Sequence, residues 1–153
     1  MWSVGRDGSL DSPEMDTASG NSPHMTKKSA GLRVLIVDDE PLIRWSMAET
    51  LAHEGYSVSE AGDAKETLEQ LSTVPAPDII LLDYRLPDSN DLKLLEAIRL
   101  AVPCSCVIMM TAFGAPDVVA GATELGAYRV VTKPLDMRDL VLLVRQAYQS
   151  RLH

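Results

Sequence analysis

Four short runs of apolar residues recur along the chain, and each run stops at a polar residue suited to phosphate or metal chemistry. Continuous apolar runs of this length are typical of strands buried on both faces of a parallel sheet. Ligands of open parallel sheets bind outside the carboxyl ends of the strands. The pattern therefore predicts that these polar residues meet along one edge of a sheet. The runs are Val34–Val37 before Asp38 and Asp39, Ile79–Leu82 before Asp83, Val107–Met110 before Thr111, and Val130–Thr132 before Lys133 and Pro134.

Segments with helical spacing of apolar residues separate the runs, so the chain alternates between strand and helix. Five such units predict an α/β fold of the flavodoxin-like, doubly wound type, with a five-stranded parallel sheet in the order 2-1-3-4-5 and helices on both faces. This order places the first strand beside the third and brings Asp38, Asp39 and Asp83 together.

The predicted boundaries follow from the same pattern and from the positions of glycine and proline. In the second helix, Ala64, Leu68 and Leu71 are expected to face the core. The strands are predicted over 33–37, 56–60, 78–82, 105–110 and 128–131, the second helix over 63–71, the fourth over 116–125 and the last over 136–149.

Residues 1–29 differ from the rest of the chain because they are rich in Gly, Ser, Asp, Pro and Thr and show no apolar period. We expect this segment to be a disordered leader and residues 30–153 to form the folded domain. The His24-Met25 pair resembles a cloning scar, which would make the first 24 residues vector-derived. A native acidic extension is the alternative.

After the last predicted helix, two interpretations stay open: a stand-alone protein, or one domain of a longer regulator.

The overall charge limits the classes of function that the chain can have. The formal net charge is -8, and no basic stripe is present, which argues against direct nucleic-acid binding.

No apolar stretch is long enough for a membrane span, and the first residues lack the apolar core of a signal peptide. Cys104 and Cys106 form an isolated pair that is a poor zinc site. Because no disulfide framework is apparent, we expect a cytoplasmic setting.

The polar residues at the strand ends suit phosphoryl chemistry with a divalent cation. Asp38, Asp39 and Asp83 would repel one another without a cation, and oxygen ligands of this kind suit Mg²⁺. An aspartate can also act as a nucleophile toward phosphorus. Lys133 and the Thr111 hydroxyl could then contact phosphoryl oxygens.

Each of these residues also has a purely structural interpretation. The Asp38-Asp39 pair could cap the helix that follows, Asp83 could begin a solvated loop, and Thr111 could be an ordinary turn residue. Lys133-Pro134 could be a surface turn. Separate structural interpretations do not explain why all of these residues follow apolar runs in the same way.

Four motifs together resemble the receiver domains of response regulators in two-component signalling. They are Val-Asp-Asp-Glu at 37–40, Leu-Leu-Asp-Tyr-Arg-Leu-Pro-Asp at 81–88, Met-Thr-Ala at 110–112 and Thr-Lys-Pro at 132–134. The stretches at 40–46, 111–114 and 126–128 are similar to receivers of the nitrogen-regulator type.

This resemblance implies a role for each site residue. Asp83 would accept a phosphoryl group from a histidine kinase or a phosphotransfer protein. Asp39 and Asp83 would bind Mg²⁺ directly, Asp38 would bind it through water, and the backbone carbonyl of Arg85 would complete the protein ligands. Thr111 and Lys133 would contact the phosphoryl oxygens.

The resemblance also implies a mode of signalling. The domain would catalyse its own phosphorylation and slow dephosphorylation, as a switch rather than a conventional enzyme. It would signal to a second copy or an output module through the face formed by helix 4, strand 5 and helix 5.

The sequence departs from the family pattern at two positions. Asp91 stands where the family usually has glycine, so the loop could be strained, or Asp91 could cap the third helix. Val130 stands where receivers usually carry the aromatic ring of a rotamer switch. Tyr128 is expected on the same face of the strand as Val130, at a different depth.

Two other functions stay open. One is a receiver-like interaction module that works without phosphorylation. The other is a magnesium-dependent phosphohydrolase with an aspartyl nucleophile, although such enzymes usually carry two aspartates two residues apart at one strand end.

Overall fold

The computed structural model describes residues 31–73 and 75–151. The predicted leader, including the proposed cloning scar, lies outside the described residues. Within them, strands and helices alternate without exception. The elements are β1 (Arg33–Val37), α1 (Pro41–His53), β2 (Ser57–Ala61), α2 (Ala64–Thr73), β3 (Ile79–Asp83), α3 (Lys93–Ala101), β4 (Cys106–Thr111), α4 (Pro116–Glu124), β5 (Arg129–Thr132) and α5 (Met137–Arg151).

The five strands form one parallel sheet in the order β2-β1-β3-β4-β5, which confirms the predicted fold class. Strand β1 pairs with β3 in a register that sets Val37 beside Leu82. The residues after β1 therefore lie next to Asp83 at the carboxyl edge of the sheet. Strands β4 and β5 pair so that Thr111 lies beside Thr132, which brings Lys133 to the same edge.

Hydrophobic clusters cover both faces of the sheet, because successive side chains of a strand point to opposite faces. In β1, Val34 and Ile36 belong to the cluster that also contains residues of α1 and α5. Leu35 and Val37 belong to the cluster on the other face, which contains residues of α3 and α4. Strands β3 and β4 are buried throughout, as the uninterrupted apolar runs predict.

Strands β2 to β5 each begin and end one residue later than predicted. The difference matters at the carboxyl edge, where Asp83 and Thr111 belong to their strands. Asp83 lies beside Met110 in the ladder, and the N–H of Tyr84 donates to the Met110 carbonyl at 2.8 Å. Backbone pairing decides where a strand ends, and the polarity of the side chain does not reveal it.

The predicted inner face of α2 was partly wrong. Leu68 is 41% exposed, whereas Thr67 is fully buried. The Thr67 hydroxyl donates to the Asp63 carbonyl at 2.8 Å, so its polar group has a partner inside the fold. Ala64 and Leu71 do pack against the core cluster as expected. In the part of the chain that the structure describes, no helix is long and apolar enough to cross a bilayer.

Candidate functional site

The carboxyl edge of the sheet gathers every side chain that the sequence singled out for phosphate chemistry. Asp38 and Asp39 follow β1, Asp83 ends β3, Thr111 ends β4, and Lys133 follows β5. Four separate backbone segments therefore converge, because the strands that carry them are parallel and in register.

The three aspartates form a tight cluster, with one oxygen from each lying within 4.8 Å of the others. Asp38 is completely buried and Asp83 nearly so, whereas Asp39 is exposed. The backbone holds Asp38 in place, because its N–H donates to the Ala61 carbonyl at 3.1 Å and its Oδ1 accepts the Glu40 N–H at 2.9 Å. Like charges at this spacing destabilise one another unless a cation lies between them.

Lys133 supplies one such cation from the other half of the sheet. Its Nζ lies 3.0 Å from Oδ2 of Asp38, 3.0 Å from Oδ2 of Asp83 and 3.8 Å from Oε1 of Glu40. The Lys133 N–H donates to the Thr111 carbonyl at 2.8 Å, and the Lys133-Pro134 peptide bond is cis. The ammonium thus joins the strand-end loops of β1, β3 and β5.

Burial and pairing shift the pKa values of this pair. Burial raises the pKa of Asp83 above its ordinary value, and the hydrogen bond from Lys133 offsets only part of that rise. For Lys133, burial lowers the pKa, but its contacts with the carboxylates of Asp83 and Asp38 outweigh burial, so its pKa is raised. The Lys133 side chain is therefore an ammonium at neutral pH.

The donor set fits a small hard cation such as Mg²⁺. Oxygen ligands from one or two carboxylates, completed by water and phosphate, are what Mg²⁺ prefers in proteins. Among the described residues, Oδ2 of Asp38 is buried without a hydrogen bond, and the Lys133 ammonium at 3.0 Å compensates its charge. A buried carboxylate oxygen left this way is ready to interact with a second cation or with water bound to it.

The two remaining predicted site residues lie nearby but face other partners. The Thr111 hydroxyl donates to the Phe113 carbonyl at 2.8 Å and accepts the Phe113 N–H at 3.2 Å, so it is engaged within its own loop. The Arg85 N–H donates to Oδ1 of Asp83 at 3.2 Å. That bond fixes the backbone on the side of Asp83 where the Arg85 carbonyl is predicted to bind the cation.

The loop after Asp83 shows how the chain accommodates Asp91 at the usual glycine position. Oδ1 of Asp91 accepts the N–H of Lys93, the first residue of α3, at 2.9 Å, but the N-cap position belongs to Leu92 and has no side-chain capping bond. The expected cap by Asp91 is therefore replaced by a local turn contact. The same loop supplies a cap that the sequence did not predict. The Asp88 carboxylate accepts the N–H groups of Ala64 at 2.8 Å and Lys65 at 3.1 Å, and these bonds lower its pKa. The loop is thereby attached to the start of α2.

The prediction that Tyr128 and Val130 share a face was wrong. Tyr128 packs against the cluster on the α1 and α5 side, and Val130 packs against the cluster on the α3 and α4 side. Strand alternation does not extend to Tyr128, because β5 begins only at Arg129 and follows the positive-φ residue Gly126. The guanidinium of Arg129 lies 5.3 Å from the centre of the Tyr128 ring at the edge of the sheet.

A cleft of about 870 Å³ lies over the cluster and extends along α1 and the segment after β5. Acidic residues of the cluster and apolar residues of α1 and of the segment after β5 both line it. The lining includes Asp39, Glu40, Leu42, Ile43, Asp83, Arg85, Lys133, Pro134 and Leu135.

Comparison with known proteins gives a consistent result. Residues 34–145 match the family model described as the response regulator receiver domain. The chain is 37% identical over 116 residues to the transcriptional regulatory protein PdtaR of Mycobacterium tuberculosis (strain CDC 1551 / Oshkosh), which covers 75% of this chain and 56% of PdtaR. It is 36% identical over 114 residues to the DNA-binding transcriptional regulator NtrC of Escherichia coli (strain K12), which covers 74% of this chain and 24% of NtrC.

A solved structure agrees with these relatives. The CheY-like receiver domain protein from Methanospirillum hungatei JF-1 superposes with a TM-score of 0.75 at 30% identity, covering 79% of this chain and 96% of that one. The chain thus matches nearly the whole of a single receiver, but it spans only about half of PdtaR and a quarter of NtrC.

We predict that Asp83→Asn stabilises the cation-free protein at neutral pH. Because burial raises the pKa of Asp83, the folded state holds this proton more tightly than the unfolded state, and ionisation lowers stability. The gain in the free energy of unfolding should be full above the raised pKa of Asp83 and disappear as the pH falls toward the ordinary value of 3.8. Urea unfolding midpoints of the variant and the wild type, recorded in EDTA from neutral to acidic pH, measure this gain.

The matched control is Asp39→Asn, which removes an exposed carboxylate of the same cluster. Its gain should be smaller, because solvent screens an exposed charge. A midpoint for Asp83→Asn at or below that of the wild type at neutral pH would contradict the prediction.

Proposed function

The chain belongs to the response regulator receiver family of two-component signalling, and we propose that it takes a phosphoryl group from a histidine kinase or a phosphotransfer protein onto Asp83. One observation carries the proposal: Asp83 ends its strand beside two further carboxylates, with the Lys133 ammonium 3.0 Å from its Oδ2. This arrangement combines a nucleophile, a place for a divalent cation and a fixed positive charge.

In the proposed reaction, an oxygen of Asp83 forms a bond to phosphorus while the bond from phosphorus to the donor breaks. With a phosphohistidine donor, the electron pair of that bond stays on the imidazole nitrogen. Such transfers depend mainly on in-line positioning and on neutralising the phosphoryl oxygens. Lys133 is fixed near one of those oxygens by its contacts with Asp38 and Asp83. Thr111 can reach another once its hydroxyl leaves the Phe113 carbonyl.

The proposed cofactor is Mg²⁺, held directly by Asp39 and Asp83, through water by Asp38, and by the backbone carbonyl of Arg85. When bound, it would supply positive charge to a phosphoryl oxygen. Loss of the phosphoryl group by attack of water would use the same neutralising groups. The domain is accordingly a self-catalysed switch rather than a conventional enzyme.

We place the switch in the cytoplasm, where kinases of this class act, and assign its output to the face formed by α4, β5 and α5. NtrC is described as a DNA-binding transcriptional regulator, and this chain spans a quarter of it. By analogy, the partner of that face is an output module or a second copy of the chain. Direct nucleic-acid binding is not proposed for this segment, because its charge is strongly negative.

The conformational response should differ from that of receivers with an aromatic switch residue. Val130 is β-branched and stiff, and it packs on the α4 side of the sheet. Tyr128 packs on the opposite side and cannot fill that space. Helix α4 is weakly anchored, since Ala122 is its only buried residue among those the structure describes. The response is therefore assigned to the loop after Thr111 and to α4.

The two other functions considered from the sequence make different predictions. A phosphorylation-independent module would bind its partner equally well without Asp83. A phosphohydrolase would release phosphate from an added substrate over many turnovers. Family membership and the position of the second and third acids on another strand favour the phosphoacceptor.

We expect the wild type to gain the mass of one phosphoryl group when it is incubated with acetyl phosphate and Mg²⁺, and Asp83→Asn to gain none. The amide cannot act as the nucleophile. Asp91→Asn, which changes an exposed acid of the same loop, serves as the control and should keep the gain. Intact-protein mass spectrometry gives the answer, and an equal gain in Asp83→Asn would assign the phosphate elsewhere.

Asp39→Ala should weaken Mg²⁺ binding by roughly tenfold or more, because even a supporting partner of a metal ligand costs that much. Glu40→Gln is the matched control, since it neutralises the neighbouring acid, which lies 3.8 Å from Lys133 and is not a proposed ligand. Isothermal titration calorimetry measures both. Equal affinity in wild type and Asp39→Ala would refute the ligand assignment.

Binding of beryllofluoride with Mg²⁺ should change amide hydrogen exchange mainly in residues 112–126. The reason is that Thr111 must break its contact with Phe113 while α4 has little buried surface to hold it. Asp83→Asn, treated in the same way, controls for effects of the salts. Changes confined to β5, with none in residues 112–126, would rule out this form of the switch.

A further inference from the structure

Arg44, in the first turn of α1, reaches back over the end of β1 and contacts the backbone of the acidic pair. Its Nη1 donates to the Asp38 carbonyl at 2.6 Å, and its Nε forms an ion pair with Oε1 of Glu60 at 3.0 Å. The guanidinium lies close to Gly62, where a Cβ atom would be 3.3 Å from Nη1. Helix α1, the end of β1 and strand β2 are joined by this one side chain.

The contact completes the immobilisation of Asp38. The N–H of Asp38 donates to Ala61, its carbonyl accepts from Arg44, and its Oδ1 accepts from Glu40. The carbonyl of Asp38 and the N–H of Asp39 belong to one rigid peptide plane. The Cα atom of Asp39 also lies in that plane, so whatever holds the carbonyl restrains the backbone from which the exposed Asp39 side chain leaves.

We infer that Arg44 is a positioning residue for the cation-binding pair, acting on the Asp38-Asp39 peptide without touching the cation. This inference rests on the proposed function, in which Asp39 is a direct ligand. Glu60 accepts a hydrogen bond from Nε of the same guanidinium, so that the planar group keeps one orientation.

The two possible roles of Arg44, a nearby charge or a positioning contact, predict opposite changes in Mg²⁺ affinity when Arg44 is removed. If the arginine acted only as a nearby positive charge, its removal would make the acidic pocket more negative and tighten Mg²⁺ binding. Loss of the bond to the Asp38 carbonyl instead frees the peptide plane and weakens binding. The sign of the change therefore separates the two roles.

The experiment measures Mg²⁺ affinity by calorimetry in the full chain carrying Arg44→Met, which keeps an unbranched stem and removes every donor. We expect affinity to fall about tenfold, the lower end of the loss seen when a supporting contact of a metal ligand is removed. Arg44→Lys, which restores one donor, should recover part of it. In cation-free NMR spectra, the amide resonance of Asp39 should shift in Arg44→Met and return toward the wild-type position in Arg44→Lys.

Arg145→Met is the matched control, because it removes an arginine that pairs with Glu54 at 3.5 Å on the surface. Its Mg²⁺ affinity and Asp39 resonance should match those of the wild type. Glu60→Gln, which leaves Arg44 and its bond to Asp38 in place, should weaken binding less than Arg44→Met. If Arg44→Met destabilises the fold, Arg44→Lys and Glu60→Gln are compared with the wild type instead, and both should bind Mg²⁺ more weakly than the wild type does.

Unchanged or tighter Mg²⁺ binding in folded Arg44→Met would overturn the inference while leaving the proposed function intact. A wild type that neither binds Mg²⁺ nor gains a phosphoryl group would overturn the proposed function itself. The two failures are distinguished by the wild-type titration, which is performed first.

Discussion

The ion pairs of Lys133 with Asp38 and Asp83 are the interaction on which the architecture of the site depends. Three carboxylates within 4.8 Å of one another would repel strongly, and two of them are buried. The ammonium lies 3.0 Å from both buried carboxylates and compensates part of this repulsion. It does not remove the cost entirely, because the pKa of Asp83 stays raised. The remaining electrostatic strain is what a divalent cation would relieve.

Lys133 reaches the two buried carboxylates only because the pairing of β4 with β5 positions its backbone. Its backbone position follows from the pairing of Thr111 with Thr132, and its N–H is bonded to the Thr111 carbonyl. Thr111 therefore joins β4 to the lysine through its main chain, while its hydroxyl is held within its own loop by Phe113. The contacts of Thr111 therefore connect Lys133 with the loop after β4. Helix α4 follows that loop and has little buried surface to resist movement.

On the other side of the cluster, the backbone is fixed more firmly. Asp38 is held through its N–H, its carbonyl and one carboxylate oxygen. The loop after Asp83 is attached to α2 through the Asp88 carboxylate. The half of the site around β1 and the loop after Asp83 is thus held by several hydrogen bonds to neighbouring elements, whereas α4 has one buried residue in the described part of the chain. Such a division suits a switch, since binding geometry must be kept while another surface changes.

The sequence by itself determined the fold class, the strand order and which polar side chains meet at the carboxyl edge of the sheet, because apolar runs and the polar residues that end them are local signals. It could not determine how Asp38 is held, since Arg44 lies six residues away and Glu60 on another strand, and their contact exists only after β1, α1 and β2 pack together. It placed Tyr128 on the wrong face, because alternation holds only where backbone pairing has begun. It also missed the burial of Thr67 and the cap by Asp88, which depend on partners in the fold. Local periodicity reports which residues are apolar and in what rhythm, whereas hydrogen-bond partners, register and the balance of charge are properties of the assembled sheet and helices.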